Sequence, residues 1–99
     1  MRLEFYEQNL IVSIIQSIFG DAKVSLFGSR LDDKKKGGDI DLFVIPSERS
    51  YLFEKKIKAL AKLERVLHKP VDIVVHKNFE REIEKEILRA HETLNLNNV

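Results

Sequence analysis

The sequence contains no cysteine. That excludes disulfides, thiol nucleophiles and thiolate metal sites together. Its three histidines, His68, His76 and His91, stand apart in no ligand spacing, which argues against a zinc centre as well. Each reads as a surface or boundary residue, and none is assigned to catalysis. No sign of charge dominates either: 17 Lys+Arg against 16 Asp+Glu give a formal net charge of +1. A binding mode built on wholesale neutralisation of phosphates is therefore not implied, and nor is nucleic acid as a partner. No apolar run approaches the roughly 20 residues of a membrane span. The opening stretch Met1-Arg2-Leu3-Glu4-Phe5 carries an early acid and no apolar signal core. The expected setting is cytoplasmic, with no membrane involved. Repeats, linkers and low-complexity stretches are also missing.

What is present is ordinary globular composition, 43% hydrophobic and 33% charged over 99 residues. A chain of this length is expected to form one domain, residues 1–99, with one modest core. It has no room for a second substrate domain, so a large substrate must be shared with a partner. Homo-oligomerisation is compatible with such a chain.

Leu10, Ile14 and Ile18 recur every four residues beside Ile11, Ile15 and Phe19, predicting a helix over about the first nineteen residues that Gly20-Asp21 stops. Lys23 to Phe27 predicts a strand leaving through Gly28-Ser29 into a tight turn, with Ser29 placed to cap a short helix. Residues 30–38 hold almost no apolar side chains and read as an exposed connection, its Lys34-Lys35-Lys36 run solvated and offset by Asp32-Asp33. Asp39 to Ile45 predicts a strand covered on both faces and ended by Pro46. Phe53, Ile57, Leu60, Leu63 and Leu67 predict a second long helix between about Ser50 and Leu67. Pro70 breaks it, and Val71 to Val75 predicts a third strand. Asn78 is expected to cap a last helix whose shared face is Phe79, Ile83, Ile87 and His91, with a frayed tail from Asn95. The order is α-β-β-α-β-α, an α/β class with a small mixed sheet of about three strands flanked by helices. The helical crossover makes the second and third strands parallel neighbours.

The acids carry the chemistry. Asp39 and Asp41 are two apart, so on a strand their carboxylates share a face. Asp72, near the start of an otherwise apolar strand parallel to theirs, reaches the same end of the sheet. Taken singly, each reads equally well as a strand start beside a turn, hydrogen-bonded to a neighbour. Together they converge, and three close carboxylates repel one another unless a cation holds them. Oxygen-only ligation suits Mg²⁺, which keeps waters and completes its shell with substrate phosphates, so a nucleoside triphosphate is the natural partner. If the first strand is antiparallel to the second, Gly28-Ser29 arrives at this end too, where glycine permits close backbone approach and a helix N-terminus offers N–H groups to phosphate.

Gly28-Ser29, nine intervening residues, Asp39-Ile40-Asp41, and Asp72 on a later strand resemble the glycine-serine and paired-aspartate pattern of the DNA polymerase beta-like nucleotidyltransferase superfamily. Over nearly its whole length the chain resembles the minimal nucleotidyltransferases within it, the MNT family, whose members are often encoded beside a helical HEPN protein as antitoxin and toxin. The resemblance implies the nucleotidyltransferase fold and a division of roles. Gly28, Ser29 and Arg30 would hold the nucleotide; Asp39, Asp41 and Asp72 would be the catalytic acids and bind two Mg²⁺ ions, Asp72 near the attacking hydroxyl. The implied reaction moves a nucleoside monophosphate, AMP from ATP, to a hydroxyl with release of pyrophosphate, and the implied acceptor is a tyrosine of the HEPN toxin. The stretch Leu31 to Lys36 departs from the small, Arg-Gly-containing connection usual in the family. Two other readings stay open: an antitoxin that neutralises a HEPN partner by contact alone, through the apolar stripes of its terminal helices, and nucleotidyl transfer to a small molecule.

Overall fold

A computed structural model describes residues 4–28 and 40–95 of the chain. The first predicted helix is α1, Phe5–Phe19. Its stripe is buried as the spacing requires, with Ile11, Ile14, Ile15 and Phe19 inside and Leu10 and Ile18 packed at the margin. Gly20 ends it at a φ of 79°, its N–H donating to Gln16 O at 2.9 Å. The buried Glu7 carboxylate accepts from Glu4 N at 3.1 Å and from Lys69 Nζ at 2.6 Å, which ties the start of α1 to the turn that precedes the third strand.

Strand β1, Ala22–Phe27, pairs antiparallel with β2, Ile40–Pro46, so that Phe27 stands opposite Asp41. Helix α2, Leu52–Leu67, then carries the chain to β3, Val71–Val75, which lies parallel to β2 as the crossover predicts. Glu64 of α2 accepts the Val71 N–H at 3.0 Å and so fixes where β3 begins. Helix α3, Glu82–Arg89, leads to β4, His91–Leu94, antiparallel to β1. The sheet is mixed, in the order β3-β2-β1-β4. Among the described residues it has four strands where the sequence suggested about three.

The end of the chain is where the expectation fails. The last helix begins at Glu82, not after Asn78, whose Oδ1 instead accepts Glu80 N at 2.8 Å in a local turn. His91 opens β4 and does not continue the helix. The tail from Leu96 onward lies outside the described residues.

Alternation along the strands divides the side chains between two faces. Val24, Leu26, Ile40, Leu42, Val44, Val71, Ile73 and Leu94 form one core with α1 and with Ala59, Leu63 and Leu67 of α2. Phe53 and Ile57, expected on that stripe, are 69% and 50% exposed. Ala59 is buried instead, one and two turns before Leu63 and Leu67 on the same helical line, and Phe53 and Ile57 fall to the side of that line. On the second face Ser25 and Phe43 are also buried, and α3 contributes Glu84 and Ile87 as its buried residues.

Glu84 is a fully buried carboxylate that organises the segment after β3. It accepts from His76 Nδ1 at 2.6 Å, Lys77 N at 2.9 Å, Asn78 N at 3.0 Å and Arg81 Nη1 at 2.9 Å. An ionised carboxylate only accepts, so His76 Nδ1 carries the proton. The His76 ring in turn stacks on Phe79, with centroids 4.0 Å apart, and meets Phe43 edge-on. Burial alone would raise the Glu84 pKa, but the hydrogen bonds from Lys77, His76 and Asn78 outweigh it and hold the group at about 2 against an ordinary 4.5. The stability this supplies is complete above pH 4.5, where the unfolded group is already ionised, and is lost as the pH falls to about 2. Glu84→Gln is expected to cost about 3 kcal/mol at neutral pH and to flatten that acid limb, as read by urea denaturation across the pH range. A variant as acid-sensitive as the parent would show that other carboxylates carry the effect.

Candidate active site

Strand β1 ends where β2 and β3 begin, so the end of one strand and the starts of two lie together at one end of the sheet. Across that end the register runs His91 to Phe27, Phe27 to Asp41 and Asp41 to Asp72. Residues directly opposite on neighbouring strands share a face, so these four side chains form one row. The row lies on the face away from α1 and α2, because the flanking Leu26, Ile40, Leu42 and Ile73 point into the core beneath those helices. Asp41 is half-buried and Asp72 is exposed. The two carboxylates thus leave adjacent strands, whose axes in a sheet are about 4.8 Å apart, on the same side.

Gly28 follows β1 directly and adopts a φ of 78°. A Cβ built there would overlap Asp41 Oδ2, with Asp41 Cγ at 3.2 Å. Two independent demands therefore select glycine: the left-handed backbone and the carboxylate packed against it. The consequence is a turn whose main chain lies in contact with one of the acids.

Of the six residues singled out by sequence, the structure brings Gly28, Asp41 and Asp72 to one end of the sheet. Ser29, Arg30 and Asp39 lie outside the described residues, as does the Lys34 to Lys36 run. Phe27 and His91 complete the row without having been singled out. Phe27 was legible from strand alternation, being opposite the acid-bearing position of β2. His91 was not, because its place depends on α3 ending at Arg89.

Among the described residues no group of three or more His, Cys, Asp or Glu side chains is arranged to hold a metal. The donor set on offer is two acceptor-only carboxylates. Such a set fits a hard cation that retains waters and shares phosphate oxygens, the habit of Mg²⁺, and does not fit the nitrogen and sulfur preference of zinc.

A family model described as polymerase beta, nucleotidyltransferase, matches residues 9–98. The chain belongs to this nucleotidyltransferase family. No curated protein matches the sequence. Among solved structures, a chain of the tri-AMPylated Shewanella oneidensis HEPN toxin in complex with MNT antitoxin superposes with a TM-score of 0.71, at 18% identity, over 93% of this chain and 71% of that one. At that identity the likeness is one of fold. Within a nucleotidyltransferase family, a row of carboxylates beside a glycine turn lies where acids and backbone amides can act on one ligand. None of the described helices is long and apolar enough to cross a membrane.

The two demands on Gly28 are separable. Gly28→Ala is expected to lose about 1–2 kcal/mol for its left-handed backbone, plus whatever the displaced Asp41 carboxylate costs. Asparagine tolerates the same φ, so Gly28→Asn isolates the steric part. Urea denaturation should find both variants destabilised; a Gly28→Asn protein as stable as the parent would mean that the carboxylate moves aside freely.

Proposed function

We propose that this chain is a Mg²⁺-dependent nucleotidyltransferase that transfers a nucleoside monophosphate, AMP from ATP, to a hydroxyl of a HEPN-type partner protein, and thereby serves as that partner's antitoxin. The observation that carries the reading is the register pairing of Asp41 with Asp72 beside the Gly28 turn. It is supported by membership of the nucleotidyltransferase family and by the fold shared with a chain from a complex of AMPylated HEPN toxin and MNT antitoxin. With ATP as donor, the reaction belongs in the cytoplasm.

In such a transfer the acceptor oxygen bonds to the α-phosphorus while the bond from that phosphorus to the bridging oxygen of the β-phosphate breaks. Pyrophosphate leaves, and the hydroxyl proton is released. The difficulty is electrostatic, since an electron-rich oxygen must approach a phosphorus ringed by negative oxygens, in line with the leaving group. Asp39, Asp41 and Asp72 are the residues that would hold Mg²⁺. Bound there, Mg²⁺ would neutralise the triphosphate and ease loss of the hydroxyl proton.

The rest of the work falls to the chain itself. Gly28 brings backbone against Asp41, and with Ser29 and Arg30 it would bind the donor phosphates through N–H groups and a guanidinium. Asp72 is exposed on the edge strand, so a hydroxyl arriving from solvent can reach its carboxylate and be oriented by it. The acids, on β2 and β3, thus stand between the donor side, at the Gly28 turn, and the acceptor side, at the edge of β3.

Intact mass of a HEPN partner incubated with this chain, Mg²⁺ and ATP should rise by the AMP group. Asp41→Asn should slow that gain by about 100-fold or more while leaving the circular dichroism spectrum unchanged. A tight complex that forms without mass gain, and that Asp41→Asn leaves intact, would replace catalysis by stoichiometric neutralisation. Transfer seen only to a small hydroxyl compound would move the acceptor to that class.

A further inference from the structure

Past Asp72 the row of acids ends, because β3 is an edge strand. Beyond it lies a groove of about 300 Å³ lined by Phe53 and Lys56 from α2, Asp72 from β3, and Lys77, Arg81 and Ile83 from the segment behind. Its lining carries Lys56, Lys77 and Arg81 against the one acid Asp72, and among the described residues only Arg81 of the three cations is paired with a carboxylate, that of Glu84. Arg81 is held in place by the buried Glu84 at 2.9 Å and reaches Val75 O at 3.4 Å. Lys56 and Lys77 have no ion pair among the described residues. Its walls are apolar as well, and open: Phe53 is 69% exposed and Ile83 44%.

Lysines without an ion pair among the described residues, set beside exposed apolar side chains, suit a surface that recognises something both anionic and apolar. The placement says what that is for. In the reading proposed above, which this inference rests on, the donor triphosphate lies toward Gly28 on β1, two strands from Asp72. The groove opens on the other side of Asp72, where the acceptor must enter. We propose that this groove docks the acceptor as an extended polypeptide segment with acidic and apolar side chains flanking its hydroxyl residue.

A polynucleotide fits less well. Its binding needs a track of cations and successive stacking platforms, whereas the groove offers one aromatic ring among aliphatic walls of Leu52, Val74 and Ile83. A small molecule fits less well too, because walls this exposed do not enclose it. An extended segment uses all three features: acids against Lys56 and Lys77, an apolar side chain against Phe53 and Ile83, and the hydroxyl at Asp72.

The test needs no catalysis. A blocked synthetic peptide EDYEFD and its counterpart KKYKFK are titrated into ¹⁵N-labelled protein, with binding followed by amide shifts and by fluorescence anisotropy. The acidic peptide should shift Phe53, Lys56, Lys77 and Ile83 and bind at least tenfold more tightly than the basic one, and the double variant Lys56→Glu/Lys77→Glu should abolish that preference. Equal affinity for the two peptides, shifts centred elsewhere, no shifts with either, or stronger binding of a hexauridine RNA would each overturn the proposal. Binding of Mg²⁺ and a non-hydrolysable ATP analogue by the unaltered protein, measured alongside, reports on the donor site separately, so failure of the groove and failure of the enzymatic reading give different results.

Discussion

The parallel register between β2 and β3 fixes the geometry of the candidate site. Because side chains alternate along a strand, pairing Ile40 with Val71 and Leu42 with Ile73 sends those four into the core and forces Asp41 and Asp72 onto the opposite face, side by side. A slip of one residue would bury the Asp72 carboxylate beneath α2 and expose Ile73, which is fully buried as it stands. The hydrophobic core therefore enforces the juxtaposition of two like charges that would otherwise move apart. Their repulsion is sustained by the packing of the opposite face.

Several side chains serve that register from outside the sheet. Glu64 accepts the first N–H of β3, and Lys69, just before it, is anchored on the buried Glu7 of α1. At the far end Glu84 gathers His76, Lys77, Asn78 and Arg81, so the chain leaving β3 is as firmly held as the chain entering it. Both anchoring carboxylates, Glu7 and Glu84, are buried and fully engaged, which is how a small domain can hold an edge strand in place with a limited core. Charge is thereby divided: glutamates fasten the scaffold, and the aspartates near the strand starts stand on the face turned away from the core.

Much of this was readable from the sequence. The stripe of α1, the crossover through α2 and the arrival of Asp41 and Asp72 at one end of a parallel strand pair all follow from local patterning, because each of those elements buries apolar residues at regular spacing. What escaped was set by contacts that spacing does not encode. Glu84 occupies the buried position of α3, and a charged residue there reads as solvent-facing. Phe79 and Ile83 then pass for a helical stripe with Ile87, although both are about half exposed. The four residues of β4 show alternation only weakly, and their strand exists because β1 has a free edge to pair with. The approach of Gly28 to Asp41 joins two strands, so the sequence offers glycine without the reason for it.

Not every apolar side chain of the helices serves the core. Phe53 and Ile57 on α2 and Ile83 on α3 could be polar without loss to it, since none contributes there. Phe53 and Ile83 instead line the groove next to Asp72, together with Lys56 and Lys77. A domain with so little interior gains nothing in stability from apolar side chains left in water, and risks aggregation by keeping them there. Their position beside the exposed acid of the row makes sense if recognition of a partner and presentation of its hydroxyl occur on one continuous surface. On such a surface affinity and catalysis are not independent properties, because the contacts that hold the partner are also the contacts that decide which of its oxygens meets Asp72.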